Sequence, residues 1–147
     1  MTYQAALAYL NTLINYEQSH QPQAMRAVSL ERMRQLCERL GAPQRRFRSI
    51  LVAGTNGKGS ICAMLHSILR HAGLRVGLYT SPHLVGLYER IRVSQGGDGR
   101  GIDADDSEDA DWMRPREMAS LMKRLQPVVQ DINHASAQPP LTYFEVL

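Results

Sequence analysis

The residues of this sequence best suited to chemistry form one glycine-rich segment, Gly54-Thr55-Asn56-Gly57-Lys58-Gly59-Ser60. It lies between an apolar run, residues 50–53, and an apolar-periodic stretch that begins at Ile61, an order typical of strand, loop and helix. The glycines let the backbone turn tightly and direct several N–H groups at one point, where the helix N-terminus and the charge of Lys58 attract an anion. The segment therefore predicts a polyphosphate site.

The segment differs from the common P-loop pattern. Val52 stands where that pattern has its first glycine, and Gly59 separates Lys58 from the hydroxyl residue Ser60. The alternative is an ordinary glycine-rich turn before a helix, but such a turn has no need of a lysine. Lys58 is also the only lysine before Lys123, in a chain with 17 basic residues. We interpret the segment as a variant phosphate-binding loop.

Composition limits the classes of protein to consider. A chain of 147 residues, 44% of them apolar and 21% charged, is ordinary for a globular domain. Its apolar runs fall far short of the ~20 residues that span a bilayer, and the N-terminus lacks a signal-peptide pattern. A cytoplasmic protein without a membrane partner is expected. Cys37 and Cys62 lie on apolar faces of predicted helices, which favours buried residues over a disulfide or metal pair.

Charge is unevenly distributed along the chain. Residues 1–97 hold 12 Lys and Arg against 4 Asp and Glu, whereas residues 98–147 hold 5 against 10. A basic first part suits nucleotides and other polyanions. The arginines between Arg26 and Arg48 have no aromatic residues interleaved, which favours a solvated helix face over a nucleic-acid groove.

Apolar periodicity predicts two helices before the loop and one after it that ends near Gly73, followed by a strand at residues 75–80. The residues at helical spacing are Leu7, Leu10 and Ile14; Leu30, Met33, Cys37 and Leu40; and Ile61, Met64, Leu65, Ile68, Leu69 and Ala72. A strand, helix and strand in this order predict a βαβ unit, and therefore a parallel sheet flanked by helices.

The second half contains a Gly/Asp-rich stretch, about residues 95–114, which we expect to be a mobile loop. Its acidic residues lack metal-ligand spacing, so a solvated loop is favoured over a divalent-metal site. Helical spacing resumes at Pro115 and continues to Pro127 or slightly past it, with core methionines at 118 and 122 as at 64. After a linker at 133–140, residues 142–147 have the capping-box spacing of a new helix. The chain stops there, so we expect it to be a piece of a longer protein.

Three motifs, taken in order, resemble the folylpolyglutamate synthase/dihydrofolate synthase family, which is related to the murein peptide ligases. They are residues 53–60, then Thr80-Ser81-Pro82-His83-Leu84 with Glu89-Arg90-Ile91-Arg92-Val93 after it, and finally Thr142-Tyr143-Phe144-Glu145. The resemblance implies an α/β fold with a P-loop-containing parallel sheet, similar to the ATPase domain of Mur ligases and incomplete here. Residues 1–147 would be the N-terminal part of that ATP-binding domain. The rest of the domain and a C-terminal glutamate-binding domain would follow.

The resemblance also implies a reaction, in which ATP phosphorylates a carboxylate of dihydropteroate or of a folyl glutamate tail. The amine of L-glutamate then displaces phosphate, in folate biosynthesis. The cofactors implied are ATP and Mg²⁺, and the protein would be a monomer whose partners are these small molecules rather than nucleic acid.

Site residues follow from the resemblance position by position. The ATP-binding residues are 54–60 with Lys58 catalytic, the magnesium ligands are Ser81 and Glu145, and the substrate loop contains Pro82, His83 and Arg90. Simpler interpretations remain for three of them. The alternatives are that Ser81 only ends a strand, that Glu145 only completes a capping box with Thr142, and that His83 is an ordinary surface histidine.

Two other functions remain open. A P-loop kinase or NTPase predicts a loop ending in Gly-Lys-Ser/Thr and a strand ending in Asp, neither of which is present. A stand-alone nucleotide-binding module predicts a chain complete at this length, which the incipient helix at residues 142–147 disfavours.

Overall fold

The structure, a computed structural model, describes residues 1–16, 30–83, 85–94, 111–135 and 139–147. Of the predicted mobile loop, residues 95–110 lie outside this description, as do residues 136–138 of the predicted linker. The helices are α1 (Tyr3–Thr12), α2 (Leu30–Arg39), α3 (Lys58–His71), α4 (Pro115–Ala135) and α5 (Tyr143–Val146), and the strands are β1 (Gly77–Tyr79) and β2 (Ile91–Val93). Short 3₁₀ helices span Pro43–Arg45 and Leu87–Arg90.

The chain divides into two compact units. One, here called the hairpin unit, is Ile50–Pro115. The other, here called the helical unit, is Met1–Ser49 together with Arg116–Leu147. Among the described residues, no helix is long and apolar enough to cross a membrane.

The helical unit has a core of apolar side chains from α1, α2, α4 and α5. Its buried apolar residues are Ala6, Leu10, Leu36, Met118, Ala119, Met122, Val129, Ile132, Leu141, Tyr143 and Val146. α1 begins at the N-cap Thr2, whose Oγ1 accepts a hydrogen bond from the Ala5 N–H at 3.1 Å. The N–H of Tyr143 donates to the carbonyl of Ile14 at 2.9 Å, which ties the start of α5 to the end of the first helical segment.

α4 is longer than the sequence predicts, because it continues through Pro127 to Ala135. Proline in a helix interior removes one backbone hydrogen bond and costs about 3 kcal/mol. Pro127 is exposed, and beyond it Val129 and Ile132 are 0% and 2% exposed. Burying these two side chains contributes roughly 3–6 kcal/mol, so packing outweighs the proline.

α2 also differs from the prediction in the face that it buries. Arg32 and Leu36 are 2% and 3% exposed, whereas Leu30, predicted to face the core, is 70% exposed. Arg32 is therefore an exception to the solvated arginine face that the sequence predicts. Its guanidinium is paired with the buried carboxylate of Glu145, so its burial does not leave the charge unpaired.

The hairpin unit contains an antiparallel pair of strands. Gly77 lies opposite Val93, and Tyr79 opposite Ile91. The sequence predicts a parallel pair between residues 50–53 and the strand at 75–80. That pair is not formed among the described residues, because residues 50–53 are not a strand and Leu51 is 93% exposed. A strand of a parallel sheet needs covering layers on both faces, and the described residues of this unit do not cover residues 50–53.

Residues 111–113 extend the hairpin on the other side of β2. The N–H of Val93 donates to Asp111 O at 2.8 Å, and the N–H of Met113 donates to Ile91 O at 3.0 Å. Arg92 and Trp112 lie opposite each other across this pairing, and the Arg92 guanidinium carbon is 5.5 Å from the centre of the Trp112 ring. The described segments 91–94 and 111–113 therefore belong to the same small sheet.

α3 begins and ends where its glycines predict. After it, the N–H of Gly73 donates to Arg70 O and the N–H of Leu74 to Leu69 O, with Gly73 at a φ of 79°, which is a Schellman C-cap. Its apolar positions are less buried than predicted, since Met64 is 62% exposed and the free thiol of Cys62 is half-buried.

One polar side chain of α3, His66, is buried at 8% exposure. Its Nε2 has no hydrogen-bond partner among the described residues. Burial is the largest cause that lowers the pKa of His66 below 6.5; the charges of Arg92 and Arg70 lower it further, and Asp111 opposes them. Arg70 and Asp111 form an ion pair at 3.6 Å.

The lowered pKa of His66 predicts acid sensitivity. Below pH 6.5, the ordinary pKa of histidine, the unfolded chain binds a proton at this position that the folded chain resists. The free energy of unfolding should therefore fall as the pH drops below about 6.5. His66→Leu should flatten this fall, whereas the exposed control His71→Gln should not. Urea unfolding between pH 5 and 8 measures the slopes, and equal slopes for both variants and the parent would contradict the prediction.

Candidate polyphosphate and metal site

The glycine loop presents backbone donors at the N-terminus of α3. Gly57 is the N-cap, with a φ of 77° that favours glycine, and it makes no side-chain cap. The first N–H groups of a helix have no acceptor inside it. Residues 54–60 are all exposed, so these donors lie at the surface of the hairpin unit.

The side chain of Lys58 folds back over the loop. Its Nζ donates to the carbonyl of Gly54 at 2.7 Å and to that of Thr55 at 2.9 Å. These bonds hold a full positive charge beside the N–H groups that open α3. A helix N-terminus, a positive φ and a bound ammonium together form an arrangement that attracts polyphosphate, which supports the prediction from the sequence.

The predicted substrate loop lies between β1 and β2. Arg90 is buried, and its Nε donates to Nδ1 of half-buried His83 at 2.8 Å, while its carbonyl accepts from the N–H of Thr80 at 2.9 Å. Because Nδ1 of His83 accepts, the proton of the neutral ring lies on Nε2. The structure thus joins His83 and Arg90, both assigned to the predicted substrate loop, by a direct hydrogen bond that the sequence does not show.

The turn that contains Ser81 and Pro82 is fixed from its other end by Glu89. Ser81 and Pro82 are exposed, and the peptide bond between them is cis. The Glu89 carboxylate accepts from the N–H groups of Val85 and Gly86 at 2.7 and 2.6 Å. Ser81 is therefore an exposed residue that follows β1, and Glu89 holds the backbone of Val85 and Gly86 further along the chain.

Glu145, in the helical unit, is buried, and both of its carboxylate oxygens have hydrogen-bond partners. Its Oε2 accepts from the N–H and the hydroxyl of Thr142, both at 2.8 Å, and the Thr142 hydroxyl accepts from the N–H of Glu145. The predicted capping box is confirmed. Its Oε1 lies 3.3 Å from a guanidinium nitrogen of Arg32.

Both proposed magnesium ligands have suitable chemistry. Mg²⁺ prefers oxygen ligands and commonly binds through one or two carboxylates with phosphates and waters. Of the two carboxylate oxygens of Glu145, Oε2 receives both Thr142 bonds, which leaves lone-pair capacity on Oε1. No group of three or more His, Cys, Asp or Glu suited to a metal occurs among the described residues, so such a metal would depend on phosphate oxygens as well.

Arg32, the buried partner of Glu145 in the helical unit, is a residue whose role the sequence does not reveal. An arginine between Met33 and Glu31 on a charged helix fits a solvated face, and only its spacing of four residues from Leu36 suggests a shared buried face. Its acceptors lie more than a hundred positions along the chain. A local pattern carries no information about such a pairing.

Known proteins resemble this chain over most of its length. It is 38% identical over 118 residues to the dihydrofolate synthase/folylpolyglutamate synthase of Bacillus subtilis, a match that covers 80% of this chain and 24% of that protein. No family model matches the chain.

Solved structures resemble it as well. The Mycobacterium tuberculosis folylpolyglutamate synthase complexed with ADP and AMPPCP matches at a TM-score of 0.70 and 30% identity, covering 98% of this chain and 27% of that one. A complex of FPGS, a folylpolyglutamate synthase, with AMPPCP and folate matches at 0.72 and 26%, covering 99% and 30%. These likenesses confirm the predicted α/β fold class and the family resemblance. The chain spans 24%, 27% and 30% of the lengths of these three proteins.

The loop geometry predicts binding of inorganic tripolyphosphate to the chain itself. Lys58→Ala should weaken this binding roughly tenfold or more, because a hydrogen bond to a charged group contributes about 1.5–3 kcal/mol. Lys123→Ala, which removes the other lysine from an exposed position of α4, is the control and should bind like the parent. Isothermal titration calorimetry at fixed salt measures both. Equal weakening by the two variants would indicate general charge attraction and contradict a built site.

Proposed function

Because this chain belongs to the dihydrofolate synthase/folylpolyglutamate synthase family, we propose that it binds ATP in a ligase that joins L-glutamate to dihydropteroate or to a folyl glutamate. The observation that carries the proposal is the exposed set of N–H donors at the start of α3, with the Lys58 ammonium held beside them. The names of the relatives, and the nucleotide and folate in the complexes that resemble this chain, support the substrate class.

The proposed chemistry begins with activation of a carboxylate. A carboxylate resists attack by an amine until one of its oxygens becomes part of a good leaving group, and transfer of the γ-phosphoryl group of ATP achieves this. Phosphoryl transfer spreads negative charge over the phosphate oxygens. Lys58, held by its bonds to two loop carbonyls, and the loop N–H groups are proposed to offset such charge. The glutamate amine then attacks the acyl carbon and releases phosphate.

Mg²⁺ is the second proposed cofactor, with Ser81 and Glu145 as oxygen ligands. When bound, the ion supplies positive charge that neutralises the phosphate oxygens. The Ser81 hydroxyl is exposed on its turn, and Glu145 is held as a carboxylate acceptor by Thr142 and Arg32. Each side chain suits this role in its own surroundings.

Pro82, His83 and Arg90 are proposed to contact the pterin substrate. The bond from Arg90 to Nδ1 of His83 leaves the Nε2 proton as a donor for an acceptor on the substrate. A pterin ring offers such acceptors at its ring nitrogens and carbonyl group.

The remaining parts of the proposal rest on the family and on the sequence. We assign residues 1–147 to the N-terminal part of the ATP-binding domain of a monomeric, cytoplasmic enzyme that needs neither nucleic acid nor a membrane. A P-loop kinase, an NTPase and a stand-alone nucleotide-binding module are the alternatives that the experiments must exclude.

Substrate omission in the complete translated protein tests the function. ADP release should require a substrate with a pterin or folyl carboxylate. When glutamate is also present, this carboxylate should be converted to an amide. Lys58→Ala should lower the turnover rate by roughly two orders of magnitude or more, as loss of a fixed electrostatic contact does, whereas Lys123→Ala should not. ADP release that is independent of pterin, folate and glutamate would instead identify an NTPase.

Glu145→Gln separates metal ligation from helix capping. Glutamine keeps an oxygen acceptor for the Thr142 bonds but loses the charge that Mg²⁺ favours. If Glu145 is a ligand, activity of the complete protein should need much more Mg²⁺. A thermal melt provides the comparison, because the stability loss includes the buried ion pair with Arg32 as well as the cap, and a loss of stability alone leaves the Mg²⁺ midpoint of the folded protein unchanged. An unchanged midpoint would refute the metal assignment.

A further inference from the structure

Arg32 forms a buried link between α2 and the segment that leads into α5. Both Arg32 and Glu145 have side chains that are 3% exposed. One terminal nitrogen of Arg32, Nη1, donates to the carbonyl of Pro139 and, at 2.9 Å, to that of Pro140. The other, Nη2, donates to Oε1 and Oε2 of Glu145 at 3.3 and 3.5 Å. The planar guanidinium therefore joins the backbone before α5 to the carboxylate within it.

These contacts restrict the Glu145 carboxylate from two directions. Thr142 holds Oε2 with two bonds at 2.8 Å, and Arg32 lies against both oxygens from α2. A carboxylate held at one oxygen by short bonds and at the other by one longer bond has a fixed plane and a preferred oxygen, Oε1, for a further partner. Groups that orient a metal-binding carboxylate in this way commonly change metal affinity when they are replaced.

We propose that Arg32 is a positioning residue for Glu145, which keeps Oε1 oriented to receive Mg²⁺. This inference rests on the proposed function, in which Glu145 is a ligand. Two effects of the guanidinium oppose each other here. Its charge repels a nearby cation, whereas its fixed geometry removes the cost of ordering the carboxylate. We assign the larger effect to geometry, because the Glu145 carboxylate offsets the guanidinium charge and the guanidinium is fixed by contacts to two carbonyls and to both carboxylate oxygens.

Lysine and methionine at position 32 separate these effects. Arg32→Lys keeps the positive charge but cannot reach two carbonyls and a carboxylate with one planar fork. Arg32→Met removes both charge and fork while keeping an extended side chain. If Arg32 mainly positions the Glu145 carboxylate, both variants should bind metal more weakly. If its charge mainly repels the metal, Arg32→Met should bind metal more tightly. Arg34→Lys is the control, because Arg34 lies on the same helix with a side chain 69% exposed.

The experiment measures Mn²⁺ binding to the complete protein by electron paramagnetic resonance in the presence of AMPPCP, alongside the Mg²⁺ midpoint of activity. Melting curves give the folded fraction of every variant, and binding is expressed per folded molecule. Arg32→Lys should weaken Mn²⁺ binding and raise the Mg²⁺ midpoint by roughly tenfold or more. Arg34→Lys should match the parent, and Arg32→Met should follow Arg32→Lys if it folds.

Glu145→Gln in the same assay separates the two proposals. If Glu145→Gln weakens Mn²⁺ binding but Arg32→Lys does not, the positioning role is overturned and the metal assignment stands. If neither variant changes Mn²⁺ binding, the assignment of Glu145 as a ligand fails, and the positioning role fails with it. Tighter binding in Arg32→Met would overturn the positioning role directly.

Discussion

The backbone N–H groups that open α3 are the constraint on which the proposed function depends. A helix cannot pair its first N–H groups internally, and Gly57, with its positive φ and no capping side chain, leaves them exposed. Lys58 adds a charge that its bonds to two loop carbonyls hold in place. The short sheet supports this arrangement, because α3 packs against β1. The loop therefore has the exposed backbone donors and the charge that the proposed anion site requires.

The helical unit uses a different kind of constraint, a buried ion pair. Removing two charges from water is costly, and the cost is recovered only when other hydrogen bonds complete the geometry. Here Thr142 and the carbonyls of Pro139 and Pro140 provide those bonds. Together these groups hold the Glu145 carboxylate in one conformation.

Local signals in the sequence predicted the parts of the structure that depend on local chemistry. Gly73 ends α3, and the spacing of Thr142 and Glu145 forms the predicted capping box. Each of these features depends on residues within one helical turn. The fold class and family followed from motifs in a fixed order, which the comparisons confirmed. The roles of individual site residues stay predictions.

The features that the sequence did not predict depend on distant partners. Arg32 is buried against a carboxylate that lies more than a hundred residues later in the chain. α4 continues past Pro127 because Val129 and Ile132 pack in the core. Residues 50–53 have the composition of a buried strand, but pairing depends on neighbouring strands rather than on composition. The apolar periodicity of a single sequence does not identify partners that are distant along the chain.

The central claim is that the N–H groups opening α3 bind polyphosphate, and amide chemical shifts test it most directly. In an ¹⁵N-labelled sample titrated with ATP, the amides of residues 57–60 should show the largest shifts, and these should saturate with a single dissociation constant. Amide protons that form a hydrogen bond to an anionic acceptor move downfield, so downfield shifts at these residues would indicate direct bonding to the phosphates. Unsaturable shifts, or shifts confined to the arginines of residues 32–48, would contradict the account.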